Sequence, residues 1–371
     1  MQIPFHRQAL PKTFDEIVTK SISQGWLTTG PVVKSFEATL KNYLESEYVV
    51  AVNSCTAALH LAIAAKDFKK GDRFIAPTYT FVATVEAGEY LDMKPVLIDS
   101  DDNYNLDLNQ VEDCLKNDAK IKCILPVHFG GRPVNMLELN AFSDKYGAVV
   151  IEDAAHAAGS TSEGMKIGSH GKLVCFSFHP AKNLAMPTGG LIAINDPNYK
   201  KIKDKLNSSR WCGIANRKGV SYDVREIGNN YYMNEISAAI GIEQLKYIND
   251  IVAKHIDNQT YYDEALSDIK GISIINKPSF SKSSSWLYTI HVEKRELFMK
   301  WMSEQKIMTS RVHERNDIHT AFANSVCPLP NLDKFNETQV SIPVGWWISS
   351  EDREYIVSQI KEFSLKILKY T

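Results

Sequence analysis

Residues 173–190 read Leu-Val-Cys-Phe-Ser-Phe-His-Pro-Ala-Lys-Asn-Leu-Ala-Met-Pro-Thr-Gly-Gly. The apolar run from Leu173 to Phe178 predicts a buried strand, which Pro180 ends. Lys182 follows on a turn rich in proline and glycine, before a second apolar run at residues 191–194. Apolar structure on both sides can desolvate this lysine, which lowers the pKa of its ammonium and leaves a neutral amine able to attack a carbonyl carbon. Lys182 is therefore a candidate for Schiff-base chemistry, and a solvated loop lysine is the ordinary alternative.

Strands and helices alternate along the chain that precedes this stretch. Apolar runs at residues 48–52, 73–77, 94–99, 122–127 and 148–151 predict strands, and a helical pattern follows nearly every one. Alternation of this kind, with continuous apolar strands, is typical of a largely parallel sheet with helices on both faces. The predicted class is α/β, and in such sheets a ligand binds beyond the carboxyl ends of the strands.

Several polar and aromatic residues fall just past the end of a predicted strand. They are Thr56, Phe81, His128, Asp153 and Lys182. Because the carboxyl ends of parallel strands meet at one edge of a sheet, we expect these residues to converge there.

The segment Ser54-Cys55-Thr56 opens the helix after the first strand. Free amides and the positive end of the helix dipole make such a start a site for an anion, although Ser and Thr are also ordinary N-caps. Phe81 has two interpretations as well, a core aromatic or a platform for a flat ligand.

The combined set of groups suits pyridoxal 5'-phosphate (PLP), which needs a lysine for its aldehyde, a carboxylate for its pyridine nitrogen and an anion site for its phosphate. In this hypothesis Lys182 carries the aldehyde and Asp153 keeps the ring nitrogen protonated. The amides of Cys55 and Thr56 and the hydroxyls of Thr56 and Ser177 would bind the phosphate. Phe81 would lie against one face of the ring, and residues 154–156 against the other.

Composition and missing motifs exclude other classes. The net charge of −2 gives no reason to expect a nucleic-acid or anionic-membrane partner. The sequence lacks GxGxxG after a strand, GxxxxGK[ST], HExxH and GxSxG, which disfavours NAD-linked, P-loop, zincin and α/β-hydrolase sites. Six cysteines without CxxC spacing are interpreted as reduced, buried residues, with no metal site. The first residues lack an apolar signal region, so we expect a cytoplasmic protein.

The second part of the chain predicts a smaller α+β domain. We expect a large PLP-binding domain at residues 1–246 and a small C-terminal domain at residues 247–371. A long helix is predicted at residues 234–255, a polar loop at 211–225, and strands at 286–292 and 308–311.

Over nearly its full length the chain resembles the DegT/DnrJ/EryC1/StrS family of sugar aminotransferases. The matching segments are residues 25–31 (GWLTTGP), 53–59 (NSCTAAL), 77–84 (PTYTFVAT), 126–128 (PVH), 152–156 (EDAAH), 177–183 (SFHPAKN) and the turn at Asn230 before 238–241 (AAIG). The resemblance implies the PLP-dependent fold type I, as in aspartate aminotransferase. It also implies amino transfer from glutamate to a keto group on a nucleotide-linked sugar.

The resemblance assigns a role to individual residues of this chain. Lys182 is the expected Schiff-base lysine, Asp153 the partner of the pyridinium and Phe81 the stacking ring. Thr56 and Ser177 are expected at the phosphate, and Asn230 at the phosphate of a neighbouring subunit, which implies a homodimer with active sites at the interface. We further expect Ser54, Cys55 and His156 at the cofactor, and Thr29, His128 and His179 at the substrate.

Three departures from the family pattern lie towards the sugar end of the site. Thr188 replaces an acidic residue, Asn229 and Tyr232 replace an aromatic residue and an arginine, and His-x-Tyr-Gly has become His128-Phe-Gly-Gly131. The opening Ile3-Pro4-Phe5 and the turn at residues 25–30 resemble family members that aminate C4 more than those that aminate C3, so the resemblance implies amination at C4. The nucleotide carrier, UDP, dTDP or GDP, stays open.

Two alternatives compete with the transaminase hypothesis. A sugar dehydratase on the same scaffold has a histidine at the lysine position, so Lys182 argues against it. A regulatory or binding protein that lost catalysis would be expected to lack Lys182 or Asp153, and both are present.

Overall fold

The structure is a computed structural model that describes residues 2–322 and 327–367. Its α-helices, in chain order, are α1 (Phe14–Ser23), α2 (Pro31–Leu44), α3 (Cys55–Ala64), α4 (Val82–Glu89), α5 (Leu108–Asn117), α6 (Met136–Tyr146), α7 (Tyr199–Ser209), α8 (Glu235–Leu245), α9 (Ile248–Leu266), α10 (Arg295–Glu304), α11 (Pro330–Thr338) and α12 (Ser350–Ile367). Short 3₁₀ turns lie at Phe129–Gly131 and Asn316–Ile318.

The strands form one large sheet and several small ones. In chain order they are β1 (Tyr48–Val52), β2 (Arg73–Pro77), β3 (Lys94–Ile98), β4 (Ile121–Ile124), β5 (Val149–Val150), β6 (Glu152–Asp153), β7 (Thr161–Ser162), β8 (Met165–Lys166), β9 (Leu173–Ser177), β10 (Gly190–Ile194), β11 (Ile214–Lys218), β12 (Ser221–Val224), β13 (Ile272–Ile274), β14 (Ser281–Lys282), β15 (Tyr288–Val292) and β16 (Gln339–Ile342).

The large sheet has the order β3-β2-β4-β5 on one side and β6-β9-β10-β1 on the other. Strands β5 and β6 are two parts of one extended segment, interrupted at Ile151, and a parallel bridge from Val127 to Asp153 connects the two halves. Only β10 runs antiparallel to its neighbours. The predicted α/β class with a mostly parallel sheet is therefore confirmed.

The two faces of this sheet carry separate hydrophobic clusters. Leu173 and Cys175 of β9 pack into the cluster that contains α3, whereas Val174 and Phe176 pack into the cluster that contains α2. Successive side chains of a strand point to opposite faces. A strand covered by helices on both faces therefore needs a continuous apolar run, and this explains the pattern at residues 173–178.

The C-terminal part of the chain builds the smaller α+β unit. Strands β13, β15 and β16 form an antiparallel sheet whose buried residues cluster with those of α9, α10 and α12. Ile3, at the other end of the chain, bridges to Ile307 and joins the same cluster. The division at 246/247 falls between α8 and α9 and stays a prediction.

Several predicted elements were wrong. The helix predicted at 234–255 is broken at Lys246 and Tyr247, which lets Leu245 and Ile248 both pack into one core. The loop predicted at 211–225 contains the hairpin of β11 and β12, which turns at Gly219 with φ +61°. Residues 308–311 make only one bridge, from Ser310 to Ser341, instead of a strand.

The cysteine prediction was correct for only part of the set. All six cysteines are free, but only Cys123 and Cys175 are buried, while Cys212 is exposed. In the described part of the chain, no helix combines the length and the apolar character needed to cross a bilayer.

Candidate active site

A cavity of about 470 Å³ opens where the strands of the large sheet end. Most of the residues singled out from sequence line it: Ser54, Cys55, Thr56, Phe81, Asp153, His156, Ser177, His179 and Lys182. The volume lies in the range of sites for small molecules and cofactors. The expected convergence at the carboxyl edge of the sheet is therefore present in the structure.

Asp153 is held rigidly at the base of the cavity. It ends β6, is 4% exposed, and accepts a hydrogen bond through Oδ2 from the Thr84 hydroxyl at 2.8 Å. Its Oδ1 accepts another from the Ala155 amide at 3.0 Å. Burial raises the pKa of this carboxyl, while the two hydrogen bonds and the nearby Lys182 ammonium oppose that shift. A cationic ring nitrogen beside Asp153 would favour its ionised form.

Lys182 lies on the turn between β9 and β10. Its amide donates to the His179 carbonyl at 2.8 Å, and the Phe178 amide donates to Gly189 at 2.9 Å, so the turn is fixed by its own backbone. The ammonium lies 3.6 Å from the centre of the Trp286 ring. Burial lowers the pKa of Lys182 to about 7, against the opposing charges of Asp153 and Cys55. A neutral amine is thus available near neutral pH.

The start of α3 forms a cradle suited to an anion. Ser54 is its N-cap and accepts from the Ala57 amide at 3.1 Å. The amides of Cys55 and Thr56 lie in the first turn, where a helix leaves its N–H groups without intrahelical acceptors. A Cβ atom on Gly190 would lie 2.7 Å from the Cys55 nitrogen, so only glycine lets β10 pass this close. Ser177, paired with Gly190 across the sheet, adds a hydroxyl to the same corner.

Two aromatic residues form walls of the cavity. The Phe81 ring is 57% exposed although it sits on a lining segment, as expected for a face that meets a ligand. His156 is buried and stacks on Trp286 with ring centres 3.9 Å apart. Its Nδ1 accepts from the Gly130 amide at 3.2 Å, and burial holds the pKa of His156 well below its usual value. His156 is therefore neutral, so it adds no positive charge beside a protonated ring.

A PLP molecule fits this set of residues. The lysine, the carboxylate and the helix start that it needs all border one cavity, and these donors match the aldehyde, the ring nitrogen and the phosphate of PLP.

Three residues predicted from sequence do not line the cavity. His128 is fully buried beneath it, with Nε2 at 3.0 Å from Glu152 Oε2 and Nδ1 accepting from the Val134 amide at 3.1 Å. Both of its nitrogens are engaged and His128 does not line the cavity, so its expected contact with substrate has no support from this position and stays a prediction. Thr29 lies outside the cavity, where its carbonyl accepts from the Trp26 indole. Asn230 is exposed and neighbours Asn53, whose side chain donates to its carbonyl at 3.3 Å.

Several lining residues were missed. Thr84 lies three positions after Phe81 at the start of α4, a spacing that could have suggested it. The others come from distant parts of the chain and had no local signal: His6, Trp286, His313, Trp346 and Trp347.

Residues 8–361 match the DegT/DnrJ/EryC1/StrS aminotransferase family. The chain belongs to this family. Its members are PLP-dependent aminotransferases, so the chain is an enzyme of that kind and the expected family is confirmed.

Individual relatives agree with this assignment. The chain is 30% identical, over 99% of both chains, to the UDP-4-amino-4,6-dideoxy-N-acetyl-β-L-altrosamine transaminase of Campylobacter jejuni. Its structure resembles that of the sugar aminotransferase CalS13 of Micromonospora echinospora, with a TM-score of 0.92, 31% identity and coverage of 97% of this chain and 99% of that one. The protein Spr1654 of Streptococcus pneumoniae, 25% identical with a TM-score of 0.92 over 99% of both chains, has been solved in a PLP form.

Proposed function

We propose that the enzyme moves an amino group from glutamate to the keto group of a nucleotide-diphospho-ketosugar, at C4 rather than C3. One observation carries the proposal: Lys182, Asp153 and the start of α3 border the same cavity. The name of the Campylobacter relative supports a sugar-nucleotide substrate and position 4.

In this proposal Lys182 and Asp153 have separate roles. When bound, PLP supplies an electrophilic carbon and a ring that accepts electrons. Lys182 Nζ would hold the cofactor and, as a neutral amine, would take up a proton from the donor carbon and later donate one to the sugar carbon. The pKa of about 7 suits both directions of transfer.

Asp153 acts at the other end of the ring. Its carboxylate would hold the proton of the ring nitrogen, which makes the ring a better electron acceptor. The hydrogen bonds from Thr84 and Ala155 fix both carboxylate oxygens before any ligand binds. This preorganisation means that little rearrangement is needed during the reaction.

The phosphate would bind at the start of α3, against the amides of Cys55 and Thr56 and the hydroxyls of Ser54, Thr56 and Ser177. Phe81 and His156 would contact the two faces of the ring. His179 is exposed at the cavity mouth and could meet the sugar portion.

We also propose a homodimer whose partner completes each site through Asn230. Supporting this, Ile227, three positions before Asn230, is 97% exposed in the single chain, and Val220 in the turn of the preceding hairpin is 95% exposed. A hybrid of Lys182→Ala and Asn230→Ala subunits tests it. One of its two sites would carry both changes and the other none, so mixing two weak variants should restore activity. No gain on mixing would refute a shared site.

A cytoplasmic location is part of the same proposal. Free cysteines throughout the described ranges support a reducing compartment, and nucleotide sugars carry charge that keeps them in water.

The function is tested by supplying glutamate and a panel of UDP-, dTDP- and GDP-linked 4-keto and 3-keto sugars. We expect 2-oxoglutarate and an amino sugar from at least one 4-keto substrate. Faster turnover of 3-keto sugars would refute the position, and amination of none would refute the substrate class.

Glutamate, added first alone and then together with the ketosugar, separates the transaminase from its two rivals. A transaminase converts one equivalent of glutamate to 2-oxoglutarate per PLP-loaded subunit, with loss of the PLP absorbance. A binding protein would give no 2-oxoglutarate, and a dehydratase would remove water from the sugar without consuming stoichiometric glutamate.

A further inference from the structure

Two cysteines far apart in the sequence meet at the edge of the large sheet. Cys114 on α5 and Cys327, which precedes α11, have their Sγ atoms 3.9 Å apart, although 213 positions separate them. Both cysteines are partly buried, and both pack against the hydrophobic cluster shared by α5, α6 and strands β2 to β4. This pair lies outside the cavity described above, and the proposed reaction does not use it.

The surroundings hold Cys327 in place next to Cys114. The Cys327 amide donates to the Leu97 carbonyl on the edge strand β3 at 3.0 Å. The Gln110 side chain on α5 donates to the Pro328 carbonyl at 2.9 Å. The Asp99 carboxylate accepts from the amides of Asn331 and Leu332, both at 2.8 Å, and so caps α11. Segment 327–332 is thus fastened to the large sheet independently of its cysteine.

We propose that hydrogen peroxide oxidises Cys114 and Cys327 to a reversible disulfide. This bond would link segment 327–332 covalently to α5. The sulfur atoms need to approach by about 2 Å to reach bonding distance. Side-chain rotation can supply this movement, since neither cysteine is fully buried.

The local electrostatics favour Cys327 as the attacking sulfur. A hydrogen bond from the Cys114 thiol lowers the pKa of Cys327 to about 7, and the Arg73 guanidinium acts in the same direction. The thiolate attacks one peroxide oxygen, breaks the O–O bond and becomes a sulfenic acid, while the released hydroxide takes a proton to form water. Cys114 then attacks the Cys327 sulfur, an S–S bond forms, and the sulfenic oxygen leaves as a second water with the Cys114 proton. Two thiols are oxidised and one peroxide is reduced.

Peptide mapping of the full-length protein tests the proposal directly. After treatment with hydrogen peroxide and alkylation, we expect a peptide pair joined through Cys114 and Cys327 that has lost two hydrogen atoms. The melting temperature should rise by about 5 °C and return with dithiothreitol. If both cysteines are still alkylated once the exposed Cys212 has been oxidised, the proposal is wrong.

Variants separate the pair from other thiol chemistry. Cys114→Ser should leave a sulfenic acid on Cys327 that dimedone labels, and Cys212→Ser, the matched control, should form the disulfide as wild type does. An unchanged thermal shift in Cys327→Ser would also overturn the proposal. Should a serine variant fail to fold, the wild-type peptide map decides alone.

Discussion

The two sides of the active-site cavity are supplied in different ways. One side, which we call the base, is formed by residues that lie at or just after the ends of β1, β6 and β9: Ser54–Thr56, Asp153, Ser177 and Lys182. On the other, which we call the rim, His6, Trp286, His313, Trp346 and Trp347 come from both ends of the chain. The base is built by local strand-to-turn geometry, whereas the rim exists only after the C-terminal unit packs against the sheet.

Contacts across the cavity connect the two sides at Lys182. The Trp286 indole N–H donates to the Ala181 carbonyl at 2.6 Å, across 105 positions in the sequence. Its ring covers the lysine ammonium. The base therefore provides the reactive groups, and the rim sets how much water reaches them. If this division is right, changes in the base should cost far more activity than changes in the rim.

The largest effect is expected for Lys182→Ala. Loss of the amine removes both the cofactor anchor and the proton carrier, so turnover should fall by roughly 10³-fold or more. Circular dichroism should show an intact fold because a turn lysine adds little to the core. Lys172→Ala, an exposed lysine on the same stretch, is the control and should be fully active. Normal turnover of Lys182→Ala would show that the residues on the base side of the cavity do not carry the reaction.

The next largest effect is expected for Asp153→Asn, measured as kcat with saturating PLP. An amide cannot hold the ring-nitrogen proton, so we expect a loss of about 10²–10³-fold. Thr84→Val keeps the carboxylate but removes one of its hydrogen bonds, so about a tenfold loss should follow. In Thr39→Val, the control, the lost hydroxyl bonds only within its own helix. Equal losses in Asp153→Asn and Thr84→Val would argue against a charge-specific role.

A smaller effect is expected on the rim, for Trp286→Phe. A phenyl ring still excludes water but stabilises the ammonium less, so the Lys182 pKa should fall roughly half a unit below its value of about 7. In wild type, PLP uptake by the apoprotein should speed up as pH rises through about 7, because only the neutral amine reacts. The variant should show the same rise at lower pH, with kcat reduced several-fold.

Trp301→Phe is the matched control for the rim, because its indole donates to the Gln359 carbonyl at 3.1 Å within the small unit. Its pH profile should equal that of wild type. A rise in the midpoint for Trp286→Phe would contradict this prediction, because it would mean that water admitted to Lys182 outweighs the lost cation–π contact.

The smallest effect on activity is expected beneath the base, for His128→Gln. Both nitrogens of His128 are bonded to protein groups, so the change should lower the free energy of unfolding by about 2–3 kcal/mol. The KM for the sugar should stay constant because His128 does not line the cavity. A denaturation curve and a substrate titration check both points. A higher KM with normal stability would mean that His128 contacts the substrate.

The difference between base and rim also explains what the sequence could predict. The apolar run before Lys182 and the Ser-Cys-Thr helix start are local patterns, so the parallel sheet and the grouping of the base residues at one cavity could be predicted, while the roles of those residues stay predictions. The break at Lys246–Tyr247 contains no proline or glycine, so the sequence has no local signal for it. The break accompanies the packing of Leu245 and Ile248 into the same core. Trp286 was assigned to a strand, but β15 begins at Tyr288. Its position over Lys182 is purely tertiary, as is the burial of His128.

Borohydride treatment of the PLP-loaded enzyme tests the central claim most directly, because it makes the bond between PLP and its lysine permanent. Mass spectrometry of the digested protein then locates the added group. We predict a single modified peptide carrying the group on Lys182, absent when glutamate is added first. The group on another lysine, or on none, would contradict the site.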